Sequence, residues 1–156
     1  MRRGRANFVS LAALTALVLA SAPAAGAAIP IRGAYSGTTA AGEPFSMVVA
    51  TKKTGPKLRP KVKRRARVGF VTGAVPVSCN SGPDRSEEVG FPGPLAVKRD
   101  GRFAVTGVGQ SSDGRVTTKV AGRFTARRMA SGTLSYRGGF AGEFCSGAIT
   151  WTATRE

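Results

Sequence analysis

Histidine is absent from this 156-residue chain. That absence removes Ser-His-Asp and Cys-His catalysis, imidazole zinc sites and the histidine pH switch. Cysteine occurs only twice, at Cys79 and Cys145, too few for a thiolate metal cage that no imidazole can complete. No metal and no cofactor is therefore expected. Acids are scarce as well, with 8 Asp and Glu against 24 Lys and Arg, a formal net charge of +16. After residue 20 no apolar run approaches the roughly 20 residues of a membrane-spanning helix. Tryptophan occurs once, at Trp151.

What is present begins with an address. Arg2, Arg3 and Arg5 form a positive head, Phe8 to Ala20 is a short apolar run, and Ala25-Gly26-Ala27 closes a small-residue tail. This order is that of a secretory signal peptide, residues 1–27, cleaved near Ala27. No cysteine stands at that point to carry a lipid, and the C-terminal Trp151 to Glu156 has no anchor. The expectation is a secreted, soluble, monomeric protein of one domain, residues 28–156. In an oxidising compartment two cysteines are most simply a disulfide.

Apolar residues recur with period two from Ile31 onward, and no segment has a helical period. Ile31 and Tyr35, then Phe45, Met47 and Val49, mark two strands, and Val68 to Val71 with Val75 and Val77 a third. Pro76 suggests an edge or a bulge. Residues 80–94, with Pro83, Pro92 and Pro94, read as an irregular loop. Leu95 to Val97 and Phe103 to Val105 flank Asp100-Gly101, and a second Asp-Gly stands at Asp113-Gly114, both strong hairpin signals. From Arg115 to Arg127 the alternation is cleanest: Val116, Thr118, Val120, Gly122 and Phe124 share one face. Leu134 and Tyr136 mark the next strand, and Gly147 to Thr154 the last. These eight or nine strands predict an all-β fold, a small antiparallel β-barrel, with a two-sheet β-sandwich as the alternative.

The run Cys145-Ser146-Gly147 through Trp151 to Arg155, with Gly101-Arg102-Phe103, Gly122-Arg123-Phe124 and Cys79 before a turn, resembles small secreted β proteins of high-GC Gram-positive bacteria. The resemblance covers most of the chain after residue 27. It supports the fold class and the disulfide and implies no activity.

The strongest candidate site is a basic loop, residues 52–67. Lys52, Lys53, Lys57, Arg59, Lys61, Lys63, Arg64, Arg65 and Arg67 stand there with no intervening acid. Such a field attracts polyanions with a steep salt dependence, so the expected partner is a cell-wall polymer, an acidic polysaccharide or extracellular nucleic acid. The same run also serves as solvated surface. Arg115, Lys119, Arg123 and Arg127 recur every fourth residue, a cationic column that also protects an edge. The basic stretch holds no aromatic before Phe70, so it predicts contact with a charged backbone only. No strand is expected to present a carboxylate inward, and Glu87-Glu88 falls in the loop, so the paired carboxylates of a glycosidase are not expected. Two carboxylates within about 10 Å in one cleft would revive an enzyme. Trp151, Tyr35, Phe45, Phe103 and Phe124 are assigned to the core. The alternative function is a lipocalin-like barrel holding a small apolar ligand, its surface charge incidental.

Overall fold

The computed structural model describes residues 28–54, 63–111, 114–140 and 142–156. The proposed signal peptide, together with Lys57, Arg59, Lys61 and Asp113, lies outside the described residues. Among the described residues eight strands succeed one another: β1 (Gly33–Thr39), β2 (Pro44–Thr54), β3 (Lys63–Cys79), β4 (Arg85–Ala96), β5 (Arg102–Ser111), β6 (Gly114–Ala126), β7 (Met129–Phe140) and β8 (Glu143–Arg155). All pair antiparallel in one sheet of order β4-β3-β2-β1-β8-β7-β6-β5. The first and last strands are thus neighbours in the middle, and β4 and β5 are its edges.

The sheet curls around a single core because one face of each strand is apolar. Trp151 of β8 stacks on Phe45 of β2, with ring centroids 4.2 Å apart and planes 9° from parallel. Phe124 meets Tyr35 edge-on at 5.7 Å. Met47, Val49, Val68, Val71, Val75 and Leu134 complete the buried centre. The two edges also converge through side chains. Phe91 of β4 lies so close to Gly107 of β5 that a Cβ there would stand 2.7 Å from its Cε1. Among the described residues β4 and β5 share no ladder.

Glycines make room for the largest rings. In the register, Phe103 stands opposite Gly122, Gly122 opposite Gly132, and Gly132 opposite Trp151. The two rings therefore lie over a trough of two hydrogens. A Cβ at Gly122 would stand 2.6 Å from both Phe103 Cζ and Trp151 Cζ2.

Three expectations change. Residues 85–94 are strand rather than loop. As the edge strand, β4 can leave one side of its backbone unpaired, and this lets Pro92 and Pro94 sit within it. Asp100-Gly101 is a turn, with Gly101 at φ 78°, but it links the two edges instead of a paired hairpin. Local chemistry specified the turn; the curl of the sheet decided the pairing. Finally, Pro76 is on a central strand. On that side the ladder with β2 ends at Gly73 and the one with β8 begins at Ser78, so Pro76 falls in the gap.

Bulges decide one more orientation. The β3 register shifts between Val68 and Phe70, and that of β2 between Val48 and Val49. Val68 is fully buried, and simple alternation would bury Phe70 with it. The extra residue turns Phe70 out, 43% exposed, and Val71 in. Burying such a ring is ordinarily worth about 2 kcal/mol, and the fold forgoes part of that here.

Cys79 and Cys145 are joined, at Cα positions 4.1 Å apart. They face each other directly where β3 meets β8, so the bond clasps the two strands just beyond the β1–β2 turn.

Candidate functional site

Where the structure describes the basic stretch, at residues 52–54 and 63–67, it is a strand pair. Lys52 and Lys53 belong to β2, and Lys63, Arg64, Arg65 and Arg67 to β3. The ladder sets Lys52 opposite Arg65 and Lys53 opposite Arg64, with Thr54 opposite Lys63 and Ala50 opposite Arg67. Like charges at opposed positions destabilise a ladder by roughly 0.2–1 kcal/mol each. Backbone bonding continued from the apolar Val49–Val68 pair carries the strands through the charged residues as far as Thr54 and Lys63, which is why charge did not stop them.

Arg65 is exposed and Arg67 half-buried. The Nε of Arg67 is buried and makes no hydrogen bond.

Antiparallel order then assembles more cation around this hairpin. The β2–β3, β4–β5 and β6–β7 connections and both ends of the described chain all fall at one end of the sheet. Lys98 and Arg99 arrive on the second connection and Arg127 and Arg128 on the third. Arg32 precedes β1, and Arg155 ends β8. Backbone contacts bind these segments together. Val97 N–H donates to Ala66 O at 3.2 Å, tying the β4–β5 turn to the hairpin, and Ile31 N–H donates to Arg127 O at 3.0 Å. The Tyr35 hydroxyl lies 2.9 Å from Ile31 O and 3.0 Å from Arg127 O, and burial raises its pKa above the ordinary 10.0. Arg155 Nε donates to Arg32 O at 2.7 Å. The acids at this end are Asp100, 3.6 Å from Arg102 Nε, and the terminal Glu156.

Part of the cationic column joins this end. Arg102 stands opposite Arg123 on β6, and with Lys98 they line a shallow outer groove of about 350 Å³ floored by Ala121, Gly132 and Thr133. Lys119 and Arg115 lie farther along the same outer face, both exposed.

The opposite end collects the acids. Glu43 lies in the β1–β2 turn, Asp84, Glu87 and Glu88 around the start of β4, and Glu143 at the start of β8. Here the expectation that no carboxylate faces inward is corrected. Glu87 is in phase with the buried Val89 and Phe91, and Glu143 with Cys145. Both close on Arg85, whose Nε lies 2.7 Å from Glu87 Oε1 and whose Nη1 lies 3.3 Å from Glu143 Oε2. Arg85 Nη2 also reaches Cys145 Sγ at 3.5 Å. Tyr136 faces this group, its pKa raised by burial and then by Glu87. Reading residues 80–94 as loop hid the pair; the i, i+2 spacing of Glu87, Val89 and Phe91 was the available signal. The two carboxylates thus come within the separation set above for an enzyme, but each is engaged by Arg85, and one cation between two anions, tied into β3, β4 and β8, makes a brace across the disulfide end. Glu143 and both sulfurs lie within 4.8 Å of one another, but sulfurs bonded to each other are not thiolate ligands.

The chain matches no protein-family model, no curated protein and no solved structure.

Proposed function

We propose that this is an exported, non-enzymatic protein that associates with a polyanion through its basic end, with the β2–β3 hairpin as the principal contact. One observation carries the reading: the register opposes Lys52 to Arg65 and Lys53 to Arg64 with no acid between residues 52 and 67. A ladder built from like-charged pairs is relieved when an anionic chain lies on it and supplies the missing counter-charge. The sorting of acids to the far end strengthens the field at the near one. The disulfide accords with an oxidising compartment. The curled sheet, joined through β1 and β8 and brought together at Phe91 and Gly107, is read as a barrel left unlaced between β4 and β5.

The carrier alternative is less well supported, because the aromatic side chains that would line a ligand cavity pack on one another. Trp151 on Phe45 and Phe103 beside Phe124 fill the centre.

Affinity for heparin, measured against salt, tests the proposal. Changing Lys63, Arg64, Arg65 and Arg67 together to Ser is expected to flatten the slope of log K against log salt by about 3 units, at roughly 0.7–0.9 per lost contact as measured for nucleic acid. An unchanged slope removes the hairpin from the account.

A further inference from the structure

The basic hairpin continues into an apolar platform on the same outer face. Val48, Phe70 and Pro92 form one cross-strand row, Val48 opposite Phe70 and Phe70 opposite Pro92. Val48 is 44% and Phe70 43% exposed, and Pro92 is exposed beside them. The next row toward the basic end is Ala50, Arg67 and Ala96, and Arg65 lies two residues further on. An aromatic ring is thus flanked by two flat aliphatic neighbours at the foot of a ladder of cations.

Ordinary packing does not account for the position of this ring. Val68 and Val71 are both fully buried, and the residue inserted between them is what turns Phe70 outward. Bulges that re-aim a side chain concentrate at functional surfaces. A phenyl face beside arginines matches a ligand with planar apolar faces strung on an anionic backbone. Single-stranded nucleic acid has that chemistry, since every base offers a face for stacking and every linkage a phosphate. A polysaccharide supplies the charge without the planar aromatic face.

We infer that Phe70 is a stacking platform for a base of single-stranded nucleic acid whose phosphates pass over Arg67 and Arg65. This rests on the polyanion reading and narrows its ligand. Sequence-blind binding is expected, as stacking accepts any base.

The experiment compares two probes on the purified protein: a labelled oligothymidylate of about 16 nucleotides, near the upper site size of such surfaces, and heparin, which has no bases. Phe70→Ala is expected to weaken oligothymidylate binding by about 5- to 150-fold, the range for loss of one stacked base, and to leave heparin within twofold. Phe70→Trp is expected to bind the oligonucleotide at least as well as the parent. Circular dichroism verifies that both variants fold, which the exposure of the ring makes the expected result. Three results overturn the inference: unchanged oligonucleotide binding in Phe70→Ala, an equal loss toward heparin, or heparin binding by a parent protein that ignores the oligonucleotide. If the four-residue Ser variant of the hairpin keeps both affinities, the polyanion reading itself fails, so the two failures are distinguishable.

Discussion

Adding one methyl group at Gly122 tests whether the core is built as described. The Cβ of Gly122→Ala would stand 2.6 Å from Phe103 Cζ, 2.6 Å from Trp151 Cζ2 and 2.9 Å from Trp151 Cη2. Carbon atoms in good contact lie about 3.5–4.0 Å apart, so both rings must retreat by about 1 Å. Neither has room. Trp151 is pinned from behind by the stacked Phe45, and Phe103 by Phe124. Overpacking of this kind costs about 1–3 kcal/mol, and the stiffer unfolded chain returns about 0.4–1 kcal/mol. A net loss of about 1–2 kcal/mol remains. For a domain of about 130 residues with an unfolding entropy of about 2.1 cal/mol/K per residue, this lowers Tm by roughly 4–8 °C. Gly132→Ala is expected to be worse, because its methyl would run into the Ala121 carbonyl oxygen as well as Trp151, and a backbone atom in a ladder cannot step aside. Gly90→Ala is the control. It lies exposed on edge strand β4 with nothing within 4 Å of the added carbon, so it is expected to leave Tm unchanged or slightly raised. Differential scanning calorimetry reads the stability, and the emission of the single tryptophan reads the core directly. If Gly122→Ala melts with the parent and Trp151 emission does not change, the rings do not lie over the glycine trough and the packing argument is wrong.

The disulfide gives a second prediction. Its partners are 66 residues apart in sequence, and loop-closure entropy for that span is about 4 kcal/mol. Replacing both cysteines by Ser is expected to lower Tm by roughly 15 °C, and a shift under about 5 °C would mean that the unlinked β3–β8 ladder suffices. The tyrosines give a third. Burial raises the pKa of both Tyr35 and Tyr136 above the ordinary 10.0, so phenolate absorbance is expected to develop at higher pH in the native protein than in urea. A folded-state pKa that is raised contributes stability below pH 10, and this is lost as pH climbs through the native value. Tyr35→Phe, which loses the hydrogen bonding to Ile31 and Arg127, is expected to cost about 1 kcal/mol at neutral pH. The gap from the parent narrows in alkali, and a gap constant with pH would argue against the buried phenol.

Much of the fold was legible in the chain because the signals concerned are local. Period-two alternation from Arg115 to Arg127 needs only a sheet with one oily face, and β6 has it, with Val120 and Phe124 buried and Arg115 and Lys119 exposed. The core assignments of Trp151, Tyr35, Phe45, Phe103 and Phe124 rested on the same rule, whereas the pairing of the only two cysteines rested on their number and on an oxidising compartment. Prolines misled at β4, since whether a strand tolerates them depends on its having a free side, which is a property of its neighbours. The candidate site was legible as charge but not as shape. Nine cations in one stretch announced themselves, yet the division of six of them, Lys52, Lys53, Lys63, Arg64, Arg65 and Arg67, between two paired strands required the register.

Three features were settled only by the tertiary structure. Antiparallel order places alternate turns at opposite ends, and so gathers Arg32, Lys98, Arg127 and Arg155 beside the hairpin while sending Glu43, Glu87 and Glu143 away from it. Curling the sheet brings Arg85 between two glutamates that belong to different strands, β4 and β8. A single bulge reverses the direction of Phe70. Alternation is written residue by residue, so the sequence alone determined that this chain makes pleated sheet and which faces are oily. Which strand lies beside which, and where the pleat slips, is set by the joint packing of all eight strands, because one added residue in a ladder exchanges inside and outside for the rest of its strand.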